Sequence, residues 1–263
     1  MTDPERRLHT AKEAAGHAAE YLKNALWSEH EVTLKGTYDL SLTADREAGD
    51  LIRATLSRSF PGEGILEEDG PPDDGQAEWL WIVDPLDGTV NYHHRLPWFC
   101  VSVACYHRTA ASTHPLWRYG RPVASVVAAP LLGQVFSALD GQGAWCGARR
   151  LHVSEEGLAR GILSHSRGSR SDDQHYMRGF LERIGSSARK TRSHGAAALD
   201  LAYVAQGSLV GHAQRSLQPW DVAAGAHLVL EAGGHYHSVS AEGGDHVLAA
   251  GRGAFPSLVE AWT

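Results

Sequence analysis

Cysteine is scarce in this 263-residue chain, with only Cys100, Cys105 and Cys146, and their spacing matches no metal-binding pattern. An odd number of thiols argues against a disulfide scaffold. They read as small buried hydrophobes in a reducing compartment. Long apolar runs are missing as well. No stretch reaches the roughly 20 residues that span a bilayer. The opening MTDPERRLHTAKEAAG lacks the apolar core of a signal peptide, so a cytoplasmic protein without membrane association is expected. Nor is there a basic excess: 24 Lys and Arg against 31 Asp and Glu give a net charge of −7. That balance argues against binding a nucleic-acid polymer or an anionic membrane, although bound cations would still admit a small anionic substrate. Repeats and low-complexity linkers are absent. The sixteen histidines are scattered, and neither His93–His94 nor His235-x-His237 has a third placed ligand, so no His-rich zinc site is expected.

What is present is a chain long enough for one large domain or two joined lobes. Apolar residues at Leu8, Ala11, Ala15, Ala18, Leu22 and Ala25 recur three and four apart, which predicts an amphipathic helix. A second helix is expected after Asp45, burying Ala48, Ile52, Leu56 and Phe60 and stopped by Pro61. GILEEDG reads as a short strand, and PPDDGQAE as a turn-rich excursion before a buried strand from Trp79 to Val83. FCVSVACY, PVASVVAAP, GQVFSALDG and GAWC then read as sheet. Beyond about residue 150 the pattern alternates. Strands are expected at GILSH, SLVGHA, HYHSV and HVLAA, and helices over 172–184, 196–206 and 220–232. This predicts an α+β lobe over 1–150 and a more α/β lobe over 151–263, acting as one unit.

Trp79 to Tyr92, WLWIVDPLDGTVNY, drives an apolar strand into two aspartates around a rigid turn. Pro85 disfavours the helical region at Asp84 and holds it extended. Asp87-Gly88 allows a sharp turn, so that Asp84, Asp87 and the Leu86 carbonyl face one point. If Thr89 opens a short helix, its free N–H groups provide an anion cradle beside them. Oxygen-only ligands suit a hard cation such as Mg²⁺ at roughly 2.0–2.1 Å. From these residues alone, an Asp-Gly turn with a helix cap is an equal reading. Glu67-Glu68 at a strand end, taken alone, reads first as a solvated acidic pair. Asp221 in LQPWDVAAG, taken alone, reads first as an acid answering a helix dipole, and Trp220 beside it reads as a buried anchor.

Taken together, these segments resemble the inositol monophosphatase family of magnesium-dependent, lithium-sensitive phosphatases. The resemblance rests on Lys35 with DLSLTAD (39–45), LEED (66–69), VDPLDGTVNY (83–92), HGAAALDLAYVAQG (194–207) and PWDVAAG (219–225). It implies a layered αβαβα sandwich and a phosphoric monoester hydrolase, homodimeric as is usual in the family. It further implies two or three Mg²⁺ ions. Glu67, Asp84 and the Leu86 carbonyl would hold the first, Asp84, Asp87 and Asp221 the second, and a third would lie near Glu67 and Glu68. By the same resemblance Glu67, Thr89 and Asp45 orient and deprotonate the attacking water, and the Gly88 and Thr89 amides hold phosphate oxygens. Gly195, Ala196, Ala197 and Gln214 would border the substrate.

Departures from the family pattern fall at the substrate end. Gln214 stands where an acid usually grips substrate hydroxyls, and it loses that charge. Ala196 follows Gly195 where serine is common. Arg95 occupies a place often held by glycine and is positioned to meet a second anionic group, and the connection over 107–121 is long. Inositol monophosphate is the leading expectation. Histidinol phosphate, a 3′-phosphoadenosine nucleotide, a sugar phosphate and a specialised biosynthetic intermediate remain open. A catalytically silent metal- or phosphate-binding relative is the alternative of another class.

Overall fold

The structure is a computed structural model that describes residues 2–28, 32–34, 40–71, 73, 75–108, 119–168 and 170–262. Lys35, Asp39 and most of the 107–121 connection lie outside the described residues.

Helix α1 (Asp3–Ala25) begins with a capping box: Thr2 Oγ1 accepts from Glu5 N, and Glu5 Oε2 accepts from Thr2 N. Ala11, Ala14, Ala15, Ala18 and Leu22 form its buried stripe. A short antiparallel pair, β1 (Val32–Leu34) and β2 (Leu40–Leu42), leads into α2 (Thr43–Ser59). This helix starts two residues before Asp45, because the Asp45 carboxylate accepts from Leu42 N and closes the first turn.

Next come β3 (Gly64–Glu67), β4 (Trp79–Asp87), the short α3 (Thr89–His93), β5 (Cys100–His107), β6 (Arg121–Ala129), β7 (Gln134–Leu139), β8 (Gly143–Cys146) and β9 (Arg149–Arg150). β3 to β9 lie side by side in chain order as a seven-stranded sheet, antiparallel except for the parallel β3–β4 pair. The rest of the chain supplies β10 (Ile162–His165), α4 (Ser171–Ile184), β11 (Lys190–Arg192), α5 (Ala197–Ala205), β12 (Gly211–Leu217), α6 (Pro219–Glu231), β13 (His235–Ala241), β14 (Gly244–Ala250) and α7 (Phe255–Trp262). Its sheet has the order β11-β10-β12-β14-β13, parallel on the β11 side and antiparallel on the other.

The layers follow from which faces are apolar. α1 and α2 cover one face of the seven-stranded sheet, and α5 and α6 cover the other. The far sides of α5 and α6 meet the five-stranded sheet, whose outer face carries α4 and α7. The result is an αβαβα sandwich. As the middle layer, α5 and α6 are buried almost all round, which their Ala- and Leu-rich sequences permit. They approach closely at Gly225, where a Cβ would come within 2.5 Å of Leu201 Cβ.

Of the strands expected in the second half, SLVGHA is displaced to Gly211–Leu217, and α7 and β11 went unforeseen. Cys100 and Cys105 are buried and free, while free Cys146 is only half-buried.

One buried ion pair pins α1 to the sheet edge. Arg7 is almost fully buried and forms a fork with Glu63 at 2.8 and 2.9 Å. Glu63 also accepts from Trp81 Nε1 of β4 at 2.8 Å. Glu63→Ala would leave the buried guanidinium with only the Asp3 carboxylate, at 2.9 Å, so we expect a loss of about 3 kcal/mol in chemical denaturation. A change below about 1 kcal/mol, the worth of an exposed pair, would show that the fork adds nothing.

Candidate active site

β4 is buried along nearly its whole length and delivers two carboxylates at its end. Pro85 cannot donate to a ladder, and the β4–β5 register shifts between Asp84 and Asp87. The strand expected to stop at Val83 therefore runs on to Asp87 as a bulge. Within it Leu86 N donates to Asp84 Oδ1 at 3.0 Å. Gly88 follows in the left-handed region at φ 91°. A Cβ there would lie 2.9 Å from the Trp98 carbonyl oxygen and 3.1 Å from Ala196 Cβ, so glycine alone fits. Thr89 then starts α3. Its Oγ1 donates to the Leu86 carbonyl at 3.0 Å and lies 3.5 Å from Asp45 Oδ1.

A cleft of about 630 Å³ opens over this bend. The first sheet's side brings Glu68, Asp84, Leu86, Asp87, Gly88 and Thr89 to its wall. The other side brings Gly195, Ala197, Gln214 and Asp221. Asp221 is the third residue of α6, and its Oδ2 accepts from Gln218 N at 2.7 Å. Three expected site residues stand behind the wall. Asp45 reaches it through Thr89, and Ala196 packs under Gly88. Glu67 is buried with its carboxylate on Arg53 of α2. α2 passes so near that a Cβ on Gly49 would sit 2.0 Å from Glu67 Oε1.

Asp87 is the most constrained of these acids. Its oxygens accept from the Ala197, Ala198 and Leu199 amides at 3.2, 2.7 and 3.4 Å, so it caps α5. Burial raises its carboxyl to about 7 against the pull of those amides. Asp84 is raised well above the carboxylate range, first by burial and then by the charges of Glu68, Asp87 and Asp221. Glu67 is raised by burial, with Arg53 opposing. An all-oxygen donor set carrying unrelieved negative charge fits a hard divalent cation. The acids are nevertheless held apart by their present partners. Among the described residues, no three of the cleft carboxylates bring oxygens within 4.8 Å of one another.

Trp220, expected as a buried anchor, is partly buried against the core and also lines the cleft beside Asp221. Arg95 does not line it. Its left-handed backbone, φ 60°, explains why glycine would suit the position, and its guanidinium lies over Trp27 at 5.1 Å.

Sequence reasoning missed Ser166, Arg170 and Arg215, which also line the cleft. Arg215 adjoins Gln214 at a bulge in β12 where Ser216 takes φ 57° and no glycine marks the turn. It borders the cleft while its guanidinium pairs with Asp173 Oδ1 at 3.0 Å and lies over Tyr176 of α4. Asp200 was missed too. It is buried and accepts from Trp98 Nε1 at 3.1 Å and His194 Nδ1 at 2.8 Å. Burial pushes its carboxyl up, but the bonds to His194 and His212 hold it below the usual range.

Two sheets clasping a helical middle layer, with acids from both halves of the chain lining a cleft over the end of β4, place the protein among the layered phosphatases. The chain belongs to the inositol monophosphatase family, whose model matches residues 3–261; members of that family are phosphoric monoester hydrolases. It is 36% identical over 225 residues to an inositol-1-monophosphatase of Mesorhizobium japonicum, covering 83% of this chain and 78% of that protein. It is 35% identical over 237 residues to the Nus factor SuhB of Pseudomonas aeruginosa, covering 86% and 83%. The extragenic suppressor protein SuhB of Bartonella henselae superposes with a TM-score of 0.86 at 31% identity, over 97% of each chain. Among the described residues no helix is long and apolar enough to cross a membrane.

The raised carboxyls set a pH dependence. For Asp87 the folded-state pKa, about 7, exceeds the ordinary 3.8, so its contribution to metal-free stability is present below 3.8 and is lost as pH rises through 7. A cation competes with those protons. If a divalent cation binds these carboxyls, the rise in Tm it produces should therefore be small at pH 5 and grow through pH 7, as measured by calorimetry with Mg²⁺ against a chelator control. An Mg²⁺ effect independent of pH would contradict the assigned carboxyls.

Proposed function

We propose that this protein is an Mg²⁺-dependent phosphomonoesterase that hydrolyses a small phosphorylated polyol of the inositol monophosphate type. The observation that carries the reading is the meeting of Asp84, Leu86 and Asp87 with Asp221, from opposite halves of the chain, on one cleft. Likeness to a protein named inositol-1-monophosphatase supports the substrate class.

Glu67, Asp84 and the Leu86 carbonyl would hold one Mg²⁺, Asp84, Asp87 and Asp221 a second, and Glu68 would adjoin a third. Bound cations supply positive charge against the phosphate and its leaving oxygen. Glu67 joins this set by leaving Arg53. Thr89 Oγ1, held between the Leu86 carbonyl and Asp45, orients the attacking water, and Asp45 and Glu67 accept its proton. The Gly88 and Thr89 amides hold phosphate oxygens, while Gly195, Ala196, Ala197 and Gln214 border the organic part. The halves over 1–150 and 151–263 act as one catalytic unit, because the cleft needs both. Free Cys100 and Cys105 favour a reducing, cytoplasmic location. A homodimer is inferred from family likeness.

A second substrate reading draws on Arg170 at the cleft wall and on Gln214 in place of an acid, with Arg215 beside them already paired to Asp173. These favour an ester with a second anionic group, such as a sugar bisphosphate or a 3′-phosphoadenosine nucleotide.

Phosphate release from a panel of monoesters, with and without Mg²⁺, tests the reading. Asp84→Asn and Asp221→Asn should each lower kcat by roughly 10³-fold, with circular dichroism unchanged. Gln214→Glu should raise kcat/KM for polyol phosphates and lower it for doubly anionic esters. Near-native turnover by either Asn variant would remove the cation assignment, and no release from any ester would leave the silent relative. Lithium should inhibit at limiting Mg²⁺, and a flat lithium titration would count against the family-type site.

A further inference from the structure

Helix α6 carries a second group of potential ligands at the end remote from Asp221. Asp221 and Glu231 are ten residues apart, which places them about 15 Å apart at 1.5 Å per residue. Near that far end His227 is 2% exposed and packs against β6. Its Nδ1 is 2.8 Å from Ser125 Oγ, while its Nε2 is buried and has no hydrogen-bond partner among the described residues. Leaving a buried ring nitrogen unpaired costs free energy, and here it points toward two carboxylates. Glu231 Oε1 lies 3.9 Å from Nε2. Asp140, in the turn after β7, completes the group, and one ligand atom from each of the three lies within 4.8 Å of the others.

We propose that His227 Nε2, Glu231 and Asp140 form a second cation site for a zinc-class ion, distinct from the oxygen-only cleft. An imidazole with two carboxylates suits Zn²⁺ and its first-row neighbours better than Mg²⁺. Three ligands leave a fourth position for water. Tetrahedral ligands at Zn distances stand about 3.3 Å apart, so a 3.9 Å pair needs only a small contraction.

The surroundings already orient the ligands. Ser125 fixes the His227 ring from the Nδ1 side, as an outer partner does for a metal-binding histidine. Glu231 Oε1 and Oε2 accept from the Gly141 and Gly143 amides at 2.9 and 2.7 Å, which positions the carboxylate and leaves further lone pairs. Two cations face the group. Arg121 pairs with Asp140, and Arg150 lies beside Gly143. Arg121 is half-exposed, so it can swing to water when the ion takes Asp140. Burial and Arg121 push His227 down to about 3, which keeps the imidazole neutral and ready as a ligand at ordinary pH. An ion there would staple the β7–β8 turn to α6, the helix that presents Asp221 at its other end.

The test uses the full-length protein stripped by chelator, with Co²⁺ as a spectroscopic probe in excess Mg²⁺. We expect one Co²⁺ with visible tetrahedral absorption, displaced by Zn²⁺ and retained in Asp221→Asn. Asp140→Asn and Glu231→Gln should each weaken it at least about tenfold. Asp140 is half-exposed in a turn, so its variant keeps the fold, and its phosphatase activity should stay at the wild-type level. The proposal is overturned if no such absorption appears, if it survives both Asp140→Asn and Glu231→Gln, or if Asp221→Asn abolishes it. In the last case the ion sits in the cleft, and a water between His227 and Glu231 would satisfy the ring nitrogen.

Discussion

The Asp87 carboxylate, at the end of a core strand, receives the first amides of α5. That contact joins the seven-stranded sheet to the helical layer on which the second sheet rests. The amides at a helix start carry only partial positive charge, so they hold the carboxylate in place without fully offsetting its burial. Asp84 lies three residues away with Glu68 and Asp221 adding to the field. The cleft is thus built on negative charge that the protein's own dipoles do not neutralise. Removing Asp87 would disturb folding and cleft together, which makes it a poor reporter of either alone.

The middle helices explain how acids from distant segments are held in register. α5 and α6 are rich in alanine, and the contact at Gly225 against Leu201 lets their axes approach. Side chains at both ends of α6 therefore inherit one rigid frame. Its first turn presents Asp221 to the cleft, and its last presents Glu231 to the β7–β8 turn. Gln218, before the helix, donates its backbone N–H to Asp221 and so ties the carboxylate to the chain's entry.

How far the site was legible varies from residue to residue. Asp84, Asp87 and Asp221 were legible because each follows a strong local signal: an apolar strand, an Asp-Gly turn, a proline-led helix start. Glu67 and Glu68 were not distinguishable, since both leave the same short strand. The end of β3 separates them, because Glu67 is its last residue, paired with Val83 of β4, while Glu68 begins the turn that follows. One goes under α2 onto Arg53, and the other goes to the cleft. The Glu67–Arg53 pair crosses from helix to strand, and no short-range pattern announces it. The placing of Gln214, Arg215 and Ser216 along the cleft depends on a bulge whose left-handed residue is a serine.

Local chemistry, readable from the chain alone, determined the helices with strong periodicity, the sheet-rich middle and the acid-bearing turn after Trp79. Each depends on neighbours within a few positions, where propensity and spacing carry the information. Tertiary packing alone decided the order of strands, the place of Trp220 at the cleft wall, the partner each carboxylate holds and the meeting of His227 with Asp140. These depend on which faces are brought together across many residues, and on the field that burial creates there, neither of which is a property of any single segment.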